Sequence, residues 1–137
     1  MTTVTIQIDS RETRLMLLRA PSRIDRALRA AMEDSTALLL REQRTYPPKR
    51  AGSAYVRTEN LMKSWSRTPV RREGSTLVAE VGSNRDTAPY HRYVQDATMQ
   101  ASIHRGRWTN TVQETTRRNQ ATIQRYFDRR LREEFSR

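Results

Sequence analysis

The stretch LVAEVGSNRDTAPYHRYVQDATMQASIHRGRW, Leu77 to Trp108, decides the fold. Its first residues alternate: Leu77, Ala79 and Val81 fall on one face, Val78 and Glu80 on the other, which is the period of a strand. Gly82-Ser83-Asn84 predicts a turn, because Gly and Asn tolerate turn geometry. Pro89 fits the first turn of a short helix, where its missing N–H is no loss. The i, i+3, i+4 spacing puts Tyr90, Tyr93 and Val94 on that helix's inner face. His104 to Trp108 (HRGRW) then leads into a long polar helix. The expectation is one α+β domain over residues 1–137: a small, mostly antiparallel sheet packed by an N-terminal helix, with a core over 1–108 and a long basic C-terminal helix over 109–137.

Working outward toward the N-terminus, Arg67 to Arg72 and Ser75 to Val81 flank Glu73-Gly74, a hairpin signature. Pro69 places the first of those strands at an edge. Thr58 is expected to cap a short helix bearing Leu61 and Trp65. The small, basic run from Lys49 to Val56 reads as a mobile loop. Before it, a helix over 23–45 carries Ile24, Leu28, Ala31, Ser35, Leu38 and Leu39 along one stripe, and Tyr46-Pro47-Pro48 stops it. Ser22 and Asp25 are spaced as a capping box for this helix. Arg11 to Arg19 is a connector, and Val4, Ile6 and Ile8 alternate with Thr3, Thr5 and Gln7 as an amphipathic strand.

Toward the C-terminus, Thr111 and Glu114 form a second capping-box pair. The helix they open aligns Val112, Thr116, Asn119, Ile123, Phe127, Leu131 and Phe135. Its other faces carry Arg117, Arg118, Arg125, Arg129, Arg130 and Arg132. A helix of ~27 residues is ~40 Å long, so part of it is expected to project or to dock on a neighbouring subunit.

"VGSN…APYHRYVQ…HRGRW", preceded by "YVRTENLMKSW" from Tyr55 to Trp65, resembles the tail-completion (neck) proteins of long-tailed bacteriophages. The resemblance spans roughly residues 20 to 110 and rests on short motifs without a catalytic signature. Two positions depart from the family pattern. Glu59 and Asn60 stand where the family has a turn glycine, and Gln95-Asp96 replaces the glycine after the aromatic segment. The resemblance implies a structural virion protein assembled in the bacterial host cytoplasm. It would form a ring, sixfold by the family's pattern, at the head–tail junction, with DNA passing through the lumen. Its neighbours would be head-closure, connector and tail-tube or tail-terminator proteins, and no cofactor or metal is implied.

The composition is strongly basic and polar. Lys and Arg total 26 against 15 acids, a net charge of +11, and only Lys49 and Lys63 are lysines. Such an excess points to nucleic acid, an anionic surface or an acidic protein partner. Only 35% of residues are hydrophobic, and a mean hydropathy of -0.90 suggests a thin core or a surface that meets a partner. The absence of cysteine excludes disulfides, thiol catalysis and Cys-bound zinc. No secretory leader is read, and no apolar run nears the ~18 residues of a membrane span. A soluble protein is expected, with no membrane partner.

His91 and His104, with Asp86 and Asp96 nearby, lack the spacing of a metal site. Tyr90, His91, Arg92 and His104 could supply acid–base and phosphate-binding groups to an RNA-cleaving, toxin-like module, though the spacing does not require it. The Arg105-Gly106-Arg107-Trp108 loop is either an arginine–aromatic anchor for a partner or a core tryptophan flanked by solvated arginines. Candidate subunit or partner contacts are Tyr90, Tyr93, Arg105, Arg107, Trp108, Ile123, Phe127, Leu131 and Phe135. Candidate contacts to DNA or an acidic surface are Arg117, Arg118, Arg125 and Arg129. Two functions stay open: the non-enzymatic neck component, and a free basic nucleic-acid-binding or RNA-cleaving module.

Overall fold

A computed structural model describes residues 3–8, 21–54 and 56–136. The elements in order are β1 (Thr3–Ile8), α1 (Pro21–Gln43), α2 (Asn60–Ser64), β2 (Trp65–Arg67), β3 (Arg71–Glu73), β4 (Thr76–Ser83), α3 (His91–Gln95) and α4 (Val112–Phe135). The fold is α+β, with an antiparallel sheet, an N-terminal helix and a long C-terminal helix. The connector expected over Arg11 to Arg19 lies outside the described residues.

β4 is the centre of the sheet. β1 pairs along one side of it, from Thr3 opposite Gly82 to Ile8 opposite Leu77. β2 and β3 share the other side, so the sheet is three strands wide. Between Arg67 opposite Val81 and Arg71 opposite Val78 the register slips by one residue. This is a bulge at Thr68-Pro69-Val70, where proline cannot donate to the ladder. Thr68 bridges the gap: its N–H donates to Glu80 O at 2.9 Å and its hydroxyl accepts from the Glu80 N–H at 3.0 Å. Pro69 therefore sits at an edge, as its chemistry requires. The hairpin turn is Gly74-Ser75, one residue later than expected, with Glu73 opposite Thr76. Gly74 has φ +61 while Ser75 does not, the pattern of a type II′ turn.

α1 and α4 cover the face of β4 that carries Leu77 and Ala79. Those two residues form one core with Ile24, Leu28, Ala31 and Met32 of α1 and Phe127 of α4, with Ile123 and Leu131 packed against it. The predicted α1 stripe is buried throughout, from Ile24 to Leu39. On α4 the buried threonine is Thr115, not Thr116.

Four expectations are corrected. First, α4 does not project. At 24 residues it is matched by the 23 of α1, each about 35 Å long. The two run antiparallel, because Arg118 pairs with Glu42 at one end and Arg23 with Glu134 at the other. Second, Trp65 is not helical. α2 ends at Ser64, and Trp65 is extended at φ -82, ψ 132, opening β2. Burial under Leu39 and Val81 outweighs the helical spacing from Leu61. Third, Gly82-Ser83 belongs to β4, and only Asn84 begins the turn, its side chain accepting from the Asp86 N–H at 2.8 Å. Fourth, the inner face of α3 is His91, Val94 and Gln95, whereas Tyr90 and Tyr93 are 40% and 43% exposed.

The caps divide similarly. Thr111 caps α4, accepting from the Glu114 N–H. α1 begins at Pro21 instead, so Ser22 lies inside it, and Asp25 pairs with Arg29 and Arg72. Thr58 is not the cap of α2 either; Glu59 is, without a side-chain cap bond.

Candidate partner-binding groove

The groove forms where the chain leaves α1 and where it approaches α4. The prolines end α1, and Asn110 Nδ2 donates to the carbonyls of Glu42 (3.3 Å) and Thr45 (2.9 Å) at that helix end. Tyr46 then turns inward. Its ring meets Trp108 edge-on, with centroids 5.3 Å apart at 86°. Its hydroxyl accepts from the Met62 N–H at 3.2 Å, standing in for the missing cap of α2. Burial raises the pKa of this phenol. Arg57 lies over the Tyr46 ring at 5.0 Å and donates to Pro47 O at 2.6 Å.

The opposite wall is the segment from Ala88 to Trp108. Ala88, Val94, Leu61 and Trp108 pack as one cluster with Tyr46 against it. Gln100 staples the loop, its amide donating to Val94 O (2.9 Å) and Trp108 O (2.8 Å). The Trp108 N–H donates to His104 O at 2.8 Å, closing a turn through Gly106 at φ +72.

Behind the groove a buried polar chain ties three elements together. Trp65 Nε1 donates to Gln95 Oε1 at 2.8 Å. Gln95 Nε2 donates in turn to Gln43 O (2.9 Å) and Gln43 Oε1 (3.1 Å). Gln95 is one of the residues that departs from the neck-protein pattern, and its amide joins α1, β2 and α3.

The resulting cleft has a volume of about 790 Å³. Leu61, Val94 and Trp108, all under 10% exposed, make its floor. Tyr46, Pro47 and Pro48 line one side, Tyr90 and the 69%-exposed Ile103 the other. Lys49, Arg50, Arg57, Arg107 and His104 supply its polar rim, and among the described residues no Asp or Glu lines it. Burial lowers the His104 pKa, favouring the neutral ring.

Of the residues singled out from sequence, Tyr90, His104, Arg107 and Trp108 meet here. Arg105 instead donates to Gln100 O at 3.2 Å, and Tyr93 lies under Arg92 at 5.1 Å. Ile123, Phe127 and Leu131 pack within the chain's own core. Phe135 is half exposed beneath Arg23. The α4 arginines line no part of the groove. Arg117 pairs with Glu114, Arg118 with Glu42 and Arg129 with Asp34, while Arg125 donates to the Thr122 hydroxyl. Tyr46, Lys49, Arg50, Arg57 and Ile103 escaped the sequence reading. The acid-free basic run from Lys49 to Arg57 was the one signal for three of them.

His91 is not an exposed loop residue. It is 3% exposed, and its Nδ1–H donates to Ala88 O at 3.1 Å. Burial lowers its pKa, with Arg92 and Arg85 acting in the same direction. Among the described residues no three His, Asp or Glu side chains converge on a metal site, and no helix is long and apolar enough to cross a membrane. No family model, no curated protein and no solved structure matches this chain.

Proposed function

We propose that this chain is a structural neck component of a tailed bacteriophage or prophage, present in several copies as a ring at the head–tail junction through which DNA passes. The observation that carries the reading is convergence. The separated stretches that resemble the neck proteins contribute Leu61, Ala88, Val94 and Trp108 to one cluster. A shared module would require those stretches to form one core, as they do here. The basic surplus supports the same reading, since a positive lumen attracts phosphates without reading base sequence.

The RNA-cleaving alternative needs both histidines at one phosphate. His91 is buried against Ala88 and Arg92 lies over the Tyr93 ring, so of the four groups that reading would use only Tyr90 and His104 line the groove. The test is deletion of the gene from the phage or prophage that encodes it. The expected result is DNA-filled heads and separate tails that fail to join, restored by a plasmid copy, with several copies of the chain in purified necks. Complete particles at normal yield without the chain would overturn the proposal.

A further inference from the structure

The chain's acids are largely matched by its own cations, and its groove is not. Among the described residues, Asp25, Glu33, Asp34 and Glu42 each pair with an arginine. So do Glu73, Glu80, Glu114, Glu133 and Glu134. Glu59 pairs with Lys63. Of the remaining described acids, the Asp96 carboxylate accepts from Thr98 and Gln113 and that of Asp128 from Gln124, while Asp86 is exposed without an ion pair to any described residue. Lys49, Arg50 and Arg107 rim the groove without an ion pair to any described residue, and Arg57 joins them there with only a carbonyl and a ring as partners. Among its described residues, a second copy of this chain therefore has only Asp86, Asp96 and Asp128 to offer them.

We propose that this groove binds an acidic segment of a different protein, one that seats an apolar side chain over Leu61 and Trp108 and sets carboxylates against Lys49, Arg50, Arg57 and Arg107. Charge complementarity identifies the acidic partner. The apolar floor and the exposed Ile103 identify a protein segment, because buried apolar anchors carry most of the affinity at such surfaces. A nucleic acid fits less well. Bases stack on free aromatic faces; the Tyr46 ring is covered by Arg57 and Trp108 is met edge-on by Tyr46 and by His104, which leaves Tyr90 as the groove's single exposed ring among the described residues. This inference does not rest on the neck reading.

The test uses the purified full chain as bait for a display library of random short peptides, with a Lys49→Glu, Arg107→Glu variant as the parallel bait. Both residues are exposed and unpaired, so the variant is expected to keep the wild-type circular dichroism and melting curve. Wild type should enrich peptides that combine Asp or Glu with a large apolar residue, and the variant should not. The best peptide, measured by fluorescence anisotropy, should bind the variant about tenfold more weakly. Its affinity should fall as salt rises from 0.15 M to 1 M and screening shortens from ~8 to ~3 Å. Ile103→Ser should weaken it at unchanged salt dependence. Enrichment of nothing, enrichment of non-acidic peptides, equal binding by the variant, or tighter binding of an oligo-dT strand than of any peptide would each overturn the proposal. No acidic-apolar enrichment by the wild-type chain, with heads and tails left unjoined when the gene is deleted, would sink this inference alone; enrichment that the variant loses, with complete particles formed without the chain, would sink only the neck reading.

Discussion

The paired helices and the groove corner are both arginine-rich, yet they handle charge in opposite ways. Along α1 and α4, Arg118 meets Glu42, Arg129 and Arg130 meet Asp34, and Arg23 and Arg26 meet Glu134. Around the groove, four cations face a lining that holds no carboxylate among the described residues. Read along the chain, α4 looks the more exposed of the two, because its own acids are few. Counter-charges for Arg118, Arg129 and Arg130 sit on α1, 76 to 96 residues earlier, and only packing brings them alongside. The lesson is that a basic run in sequence marks a partner site only when the fold leaves it unmatched. Most of these helix pairs are partly exposed, each worth ~1 kcal/mol or less. They set how the helices line up, and the stability comes from the apolar seam between them.

The sharpest way to break the comparison is to attack that seam. Phe127→Asp buries a carboxylate with no cation in its cluster, at a cost of several kcal/mol. The isolated chain should lose its cooperative melting transition in circular dichroism. A variant that melts like wild type as a monomer would mean that α4 is not held on α1.

Gln95→Ala tests the joint between the two regions. It removes three hydrogen bonds and leaves the Trp65 indole N–H and Gln43 groups buried without partners. The expected loss is about 2–4 kcal/mol, read as a lower urea midpoint at unchanged slope. A loss below ~1 kcal/mol would mean water replaces the amide.

The two regions should also part with pH. His91 and His104 are held neutral, below the ordinary 6.5, first by burial. The unfolded chain takes up protons at these rings before the folded chain does, so their contribution is complete above pH ~6.5 and declines below it. On the helices the signs differ. Burial alone would raise Asp25, but Arg29 and Arg72 outweigh it and hold the carboxylate below 3.8. Arg117 holds Glu114 below 4.5. Their contribution persists until pH falls below about 4.5. Amide-exchange protection in 88–108 should therefore weaken between pH 7 and 5.5 while that of α1 and α4 holds. Parallel decline in both regions would erase the distinction.

The smallest effect concerns the groove's hinge at Glu59, a non-glycine residue at φ +61, ψ 4. This left-handed geometry costs an ordinary residue about 1 kcal/mol or more, offset in part by the chain freedom glycine adds when unfolded. Glu59→Gly should raise stability by about 0.5 kcal/mol, seen as a small rise in melting temperature. A fall would indicate that Glu59–Lys63, at 3.9 Å, matters more than its exposure suggests.

The sequence by itself determined what depends on near neighbours. Alternation over 77–81 sufficed for β4, the Ile24–Leu39 stripe and Pro47 for α1 and its end, and Thr111 for the start of α4, because period and capping act within a few residues. Glu59 is the one described non-glycine residue with a positive φ, and its residue type gives no local sign of it. Tertiary structure decided the rest. Trp65 leaves the helical pattern because its indole finds Gln95 thirty residues away. The five residues of α3 are too few for spacing to choose a face, so the packing of His91, Val94 and Gln95 turned Tyr90 and Tyr93 outward. The groove itself joins the 46–58 and 88–108 segments, and its charge imbalance exists only once α1 has supplied carboxylates to α4 and none to Lys49, Arg50 or Arg107. Pairing over such separations depends on which surfaces the core brings together, and no local pattern encodes that.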